Sequence, residues 1–180
     1  MKRFAIPVVL SLAFLTACGT APADQTTGGE AKTGYQEPTQ TPAPAEAKVS
    51  KNVKLYYTDA NLMEIKEEEQ TVELESDKPG DIKTYEKAIE LLGKPSQSGN
   101  EPLWKDFQYN QVTFDNGTLT IDAKSGQTFN LGASGEEMAI EALKKTLFQF
   151  SEVQQIVIQV DGKPVDSLMG HVDTSKPFTR

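Results

Sequence analysis

Apolar and polar positions divide the 180-residue chain into three stretches. Phe4 to Leu15 is an apolar run broken only by Pro7 and Ser11. Residues 19–50 hold few apolar side chains other than alanine, and Pro22, Pro38, Pro42 and Pro44 punctuate them. So little surface can be buried there that ordering the chain is not offset, which predicts a disordered tether. A periodic pattern begins at Val53. Val53, Leu55 and Tyr57 alternate, the signature of a half-buried strand, and Thr58-Asp59-Ala60-Asn61 reads as a turn. Leu62, Met63 and Ile65 then lead to Glu67-Glu68-Glu69, with Val72 and Leu74 alternating beyond. This predicts two short strands flanking an acidic bend, the three glutamates being a solvated hairpin tip; consecutive side chains do not converge on one cation. Pro79-Gly80-Asp81 opens a helix in which Ile82, Tyr85, Ile89 and Leu92 share a face. Gly93 and Pro95 end it, and Lys94 suits its negative end.

The second half is punctuated more sharply. Ser96 to Pro102 reads as a loop, and Leu103 and Trp104 as apolar residues beside the core. Trp104 is either a lid on that core or an exposed anchor for a partner. Phe107, Tyr109, Val112 and Phe114 predict a strand with one change of phase, hence a bulge near Asn110-Gln111. Asn116-Gly117 is a two-residue hairpin turn, both positions tolerating positive φ, and Leu119 and Ile121 alternate in the returning strand. Ser134-Gly135-Glu136-Glu137 has the spacing of a capping box, opening a helix to Gln149. Ala139, Leu143, Leu147 and Phe150 share its apolar face, with Ala142 and Thr146 beside them. From Val153, the Ile156-Val157-Ile158 run is apolar on both faces, as in a central strand. Asp161-Gly162 turns the chain, and Pro164 to Arg180 reads as an irregular tail.

The N-terminal run acquires meaning from its flanks. Lys2 and Arg3 precede it, and the small residues Ala17 and Gly19 flank Cys18, the one cysteine. That is the order of a secretory signal, and the run is shorter than the roughly 20 residues a bilayer span needs. Leu15-Thr16-Ala17-Cys18 resembles the lipobox of bacterial lipoproteins. The resemblance implies cleavage before Cys18, a diacylglycerol on its thiol, and often acylation of the new amine. The alternative is a plain secreted protein cut near Ala17, with Cys18 incidental. The organisation expected is therefore a lipoprotein signal peptide at 1–17, lipidated Cys18 with a linker at 18–51, and one folded domain at 52–180. Buried methylenes contribute about 0.8 kcal/mol each, and one acyl chain holds only marginally. Two or three chains would hold the protein at the extracytoplasmic face of the cell membrane.

Charge narrows the partners. The net charge is −8; loss of residues 1–17 removes two basic residues and no acid, leaving −10. This argues against nucleic acid or anionic headgroups as partners. With Cys18 modified, the chain has no disulfide, and the 130 residues from 51 to 180 must be stabilised by an ordinary core.

Several of these segments together carry a resemblance. They are the Asn116-Gly117 hairpin, Ser134-Gly135-Glu136-Glu137, Thr146-Leu147-Phe148-Gln149-Phe150, the run Val157 to Val165 (Val-Ile-Gln-Val-Asp-Gly-Lys-Pro-Val), and the tail Gly170-His171-Val172-Asp173-Thr174-Ser175-Lys176-Pro177-Phe178-Thr179-Arg180. Over about residues 52–180 the chain resembles the GerMN domain, found in the sporulation and spore germination protein GerM and in many bacterial lipoproteins. The resemblance implies a small α+β domain, similar to the ring-building modules of secretion-type assemblies, with two helices packed on one face of an antiparallel or mixed sheet. It implies a non-catalytic role outside the cytoplasm, through self-association or docking on cell-envelope proteins.

The residues themselves offer little chemistry. A zinc site of His and Cys is excluded, because His171 is the one histidine and Cys18 is taken by lipid. No Gly-x-Ser-x-Gly turn or phosphate-cradling glycine loop is present. With 26 acids, a carboxylate pair for glycan hydrolysis is the one catalytic constellation left. No catalytic residue, cofactor or metal is expected. His171 is expected to pin the tail through its ring nitrogens, or to be a pH-sensitive contact. Arg180 is either a solvated end or an ion pair with Asp166 or Asp173. The leading expectation is a membrane-anchored interaction domain in envelope assembly, such as sporulation or germination. Alternatives are a lipoprotein that binds a cell-wall fragment or small solute in a concave pocket, or an accessory of a cell-wall hydrolase.

Overall fold

A computed structural model describes residues 48–180. The expected signal peptide, Cys18 and the expected linker up to residue 47 lie outside the described residues. The described part opens on strand β1 (Val49–Thr58), inside the stretch that composition assigns to the linker. There follow β2 (Ile65–Leu74), α1 (Ile82–Leu92), β3 (Tyr109–Asp115), β4 (Thr118–Ala123), α2 (Gly132–Phe148), β5 (Gln155–Val160) and the two-residue strands β6 (Lys163–Pro164) and β7 (Phe178–Thr179).

The strands form two sheets. β1 and β2 make an antiparallel hairpin of their own, in register from Val49 opposite Leu74 to Thr58 opposite Ile65. The other sheet has the order β3-β4-β5-β6, with β7 also on β5. β4 and β5 run parallel because α2 carries the chain between them. β5 is the central strand its composition predicts, with Ile156 and Ile158 buried. The bulge falls between Tyr109 and Gln111. Asn116 and Gly117 hold φ of 46° and 83°, the left-handed pair of a tight hairpin turn.

Both helices turn apolar faces to a common core. α1 buries Tyr85, Ala88, Ile89 and Leu92, and Asp81 caps it by accepting the Lys83 N–H at 3.0 Å. Gly93 ends it for a steric reason: a Cβ there would lie 2.6 Å from the Trp104 carbonyl oxygen. Trp104 is a lid rather than an exposed anchor. It is 1% exposed, its indole N–H donates to the Ala139 carbonyl at 2.8 Å, and Phe107 stacks edge-on against it. α2 buries Ala139, Leu143 and Leu147 as the spacing predicts.

Two local expectations fail. Glu67, Glu68 and Glu69 are not a hairpin tip. They lie within β2, and the turn is at Asp59–Glu64, where the Asp59 carboxylate accepts the N–H groups of Met63 and Glu64 at 2.7 and 2.9 Å. Burial alternates through the acidic run, with Glu68 and Gln70 in the inward row. Inward polar residues conceal a strand's period, which is why the sequence pattern breaks there. Nor do Ser134 and Glu137 form a capping box. α2 begins at Gly132, Leu131 occupies the cap position without a side-chain bond, and the neighbouring Glu136 points inward.

Candidate functional site

Three carboxylates point inward, and each takes hydrogen bonds from a loop. Glu136 on α2 is fully buried. Its Oε1 accepts the Ser167 hydroxyl at 2.9 Å and the Met169 N–H at 3.1 Å, and its Oε2 accepts the His171 N–H at 2.7 Å. Ser167 Oγ in turn accepts the Gly170 N–H at 2.7 Å. Thr174 closes the same loop through Asp166 and Val165, its N–H and hydroxyl donating to their carbonyls. The tail is thus an ordered loop built round one carboxylate. His171 contributes its backbone N–H, not its ring: the ring makes no hydrogen bond among the described residues, so the expected ring-mediated pin is replaced by a main-chain one.

Glu68 on β2 plays the same part for the loop after α1. Its oxygens accept the Ser96 hydroxyl at 2.6 Å, the Gln97 and Ser98 N–H groups at 3.0 and 3.1 Å, and Gln70 Nε2 at 2.6 Å. Burial alone would raise its pKa; the four donors outweigh burial and hold it at about 2. Burial and the Glu68 charge push Tyr57, which faces the same cluster through Gln70, up to about 12. Asp122 on β4 accepts the Gly162 N–H at 2.8 Å, fixing the turn after β5, and Asn110 bridges it to Asp161.

Arg180 forms neither of the ion pairs considered for it. Its guanidinium donates to the carbonyls of Phe150 at 2.6 Å and Val153 at 3.0 Å, just beyond α2, and stands over the Phe148 ring. Oxygens left exposed where a helix ends attract such a cation. Between Phe148 and Phe150, Gln149 pairs with β1 as a strand would. Its Oε1 accepts the Lys54 N–H at 2.9 Å, and its Nε2 donates to the Lys54 carbonyl at 2.8 Å.

These bonds consume the interior polar groups. Among the described residues Thr146 Oγ1 is the one buried side-chain polar atom without a partner, and no group of three or more His, Cys, Asp or Glu is placed to hold a metal. A cleft of about 400 Å³ lies between the end of β2 and α1. Its charged groups pair with one another, Lys83 with Glu86 at 2.7 Å and Lys87 with Glu90 at 3.0 Å, rather than converging on a vacant centre. No described helix is long and apolar enough to cross a membrane.

The two-sheet α+β arrangement recurs in solved proteins. A protein of Clostridium perfringens described as a candidate lipoprotein is 26% identical, with a TM-score of 0.51 over 74% of this chain and 88% of that one. The first GerMN domain of the sporulation protein GerM from Bacillus subtilis is 23% identical, with a TM-score of 0.53 over 72% of this chain and 97% of that one. A search of curated proteins finds no match. Residues 54–166 match the family model Germane, described as sporulation and spore germination. With more than half of its residues in that match, the chain belongs to the Germane (GerMN-domain) family of sporulation and spore germination.

Proposed function

We propose that this chain is a lipoprotein held at the extracytoplasmic face of the cell membrane by Cys18, whose GerMN domain is a non-catalytic interaction module in envelope assembly during sporulation or germination. The observation that carries the reading is the use made of the interior acids. Glu68, Asp122 and Glu136 are committed to holding loops, which leaves ordered surface rather than an assembled reaction centre. Pre-formed loops suit docking, because a surface already ordered loses less entropy on association. The lipobox-like Leu15–Cys18 and the proline-dotted stretch after it supply an anchor and a spacer.

Two measurements test this. Labelled palmitate should be incorporated by the wild-type chain and not by Cys18→Ser, and the variant should leave the membrane fraction. Crosslinking in cells, followed by purification from membranes, should recover envelope or sporulation proteins, or the chain itself. Mature protein free in the medium with an unmodified thiol refutes the anchor; crosslinking no better than an unrelated lipoprotein refutes the interaction role.

A further inference from the structure

The hairpin β1–β2 has one edge closed and one open. In an antiparallel pair, successive residues turn their N–H and C=O alternately toward the partner strand and away from it. Thr58 turns its groups away from β2, to Glu101 (N–H to O 3.1 Å, and 2.9 Å in return). Lys54 does the same, to the Gln149 amide. The outer edge of β1 is therefore occupied at both points. The register partners of Thr58 and Lys54 are Ile65 and Glu69, so these turn their backbone groups away from β1, and by the same parity so do Glu67, Thr71 and Glu73. No described residue bonds to that row of backbone groups.

A ten-residue strand with such an edge is a template for another strand, and the side chains along it say which. Glu67, Glu69, Thr71 and Glu73 project on the exposed face. Their present partners all come from the β1 side: Lys54 and Tyr56 at 2.8 Å from Glu67, Asn52 at 2.7 Å from Glu69, Lys48 at 3.9 Å from Glu73. No described lysine or arginine on the side toward the open edge forms a salt bridge with them. A second copy is a poor occupant, since antiparallel self-pairing centred on Gln70 sets Glu67 against Glu73 at both ends, and like charges directly opposite destabilise. The chain's own residues 19–47 fit badly too, with prolines at 22, 38, 42 and 44 and one lysine against four acids. Past Glu73 the edge runs into the cleft of about 400 Å³ beside α1, where Glu86 and Glu90 already pair with Lys83 and Lys87, so the preference for a basic strand is set by Glu67, Glu69 and Glu73.

We propose that the open edge of β2 accepts an extended basic segment of a partner protein as an added strand, with lysine or arginine at alternate positions beside Glu67, Glu69 and Glu73. The same glutamates deter self-association and select the partner. This rests on the interaction-module reading and locates its surface.

The probe is a peptide of about eight residues alternating lysine and threonine, with a glutamate–threonine peptide as control, added to the isotope-labelled full chain and followed by amide hydrogen exchange. The lysine peptide should slow exchange at Glu67, Glu69, Thr71 and Glu73 by about tenfold or more and leave Glu68, Gln70 and Val72, already in the β1 ladder, unchanged. The glutamate peptide should do neither. Thr71→Pro removes an outward N–H and no ladder bond, a position where an edge strand tolerates proline; it should abolish the protection while the β1–β2 exchange pattern persists. The proposal is overturned if the lysine peptide gives no added protection, or if it binds equally well to Thr71→Pro. It is also overturned if the outward amides are already protected without peptide: concentration-dependent protection then identifies a second copy, concentration-independent protection the chain's own linker. If Thr71→Pro still crosslinks to the same envelope proteins in cells, this surface is wrong and the interaction role stands; if the wild-type chain crosslinks to nothing, that role itself fails.

Discussion

Replacing Glu68 by glutamine removes one charge and turns one acceptor into a donor. In the wild type both oxygens accept, and three of the four donors, from Ser96, Gln97 and Ser98, belong to one loop. A glutamine amide aims its own N–H groups at one or more of those donors, and its oxygen cannot serve all of them. The magnitude follows from linkage. The folded-state pKa is lowered from 4.5 to about 2, and a shift of that size corresponds to about 3 kcal/mol of stability at neutral pH. Because the folded pKa is depressed, the stabilisation is complete above the unfolded value and is lost as pH falls through the folded one. About half of it remains at pH 3. Urea denaturation followed by the fluorescence of Trp104, the one tryptophan, should put Glu68→Gln about 3 kcal/mol below wild type at pH 7 and roughly half as far below at pH 3. Other carboxylates with lowered pKa, among them Glu67, Glu141 and Asp161, act alike in both proteins and cancel in the difference. A gap that stays constant between pH 7 and pH 3 would refute the assignment, as would a variant as stable as wild type at pH 7.

Glu136→Gln should cost roughly 2 kcal/mol, the scale of hydrogen bonds to a buried charge, with amide exchange accelerating first at Met169 and His171; unchanged exchange there would mean that the tail loop is held by other contacts. His171→Ala, by contrast, should alter stability by less than about 0.5 kcal/mol, because the backbone N–H survives the substitution; a larger loss in thermal unfolding would restore a role for the ring. Gly93→Ala sets a methyl against the Trp104 carbonyl and should destabilise by about 1–3 kcal/mol, with a red shift of Trp104 emission as the lid is displaced, whereas wild-type emission would show the backbone yielding elsewhere.

The elements written in apolar periodicity are legible in the amino-acid sequence: α1 from Ile82, Tyr85, Ile89 and Leu92, the β3–β4 hairpin from Asn116-Gly117, the central β5 from Ile156-Val157-Ile158. What escapes is polar and inward. Glu68 reads as solvated in a run of three glutamates, because nothing local signals that a loop some thirty residues later returns to donate to it. Glu136 reads as an exposed residue of the first turn, since Ser134-Gly135-Glu136-Glu137 has the local grammar of a helix start with Ser134 and Glu137 as the box; its partners at 167, 169 and 171 are remote in sequence. Arg180 and Gln149 likewise bond to carbonyls and an amide supplied by other segments. Side chain-to-backbone bonds between distant segments have no period, so pattern reading cannot find them. The division of the strands between two sheets is hidden for the same reason, being decided by packing rather than by any one strand.

The acids therefore divide by direction, and the division explains how so acidic a chain combines a rigid domain with a charged strand edge. An inward carboxylate loses its water and must be repaid in hydrogen bonds; Glu68, Asp122 and Glu136 find them in the N–H groups of loops that have no ladder of their own, so each buried charge orders a stretch of backbone. An outward carboxylate on β2 keeps its water, and its field falls on whatever approaches the strand edge. Exchanging the two sets would defeat both purposes: apolar residues at Glu67 and Glu69 would leave a long open edge free to pair with any strand, and apolar residues at Glu68 and Glu136 would leave the donors of two loops buried without acceptors. The alternation of exposure along β2, one residue in and the next out, is what lets consecutive glutamates perform opposite tasks.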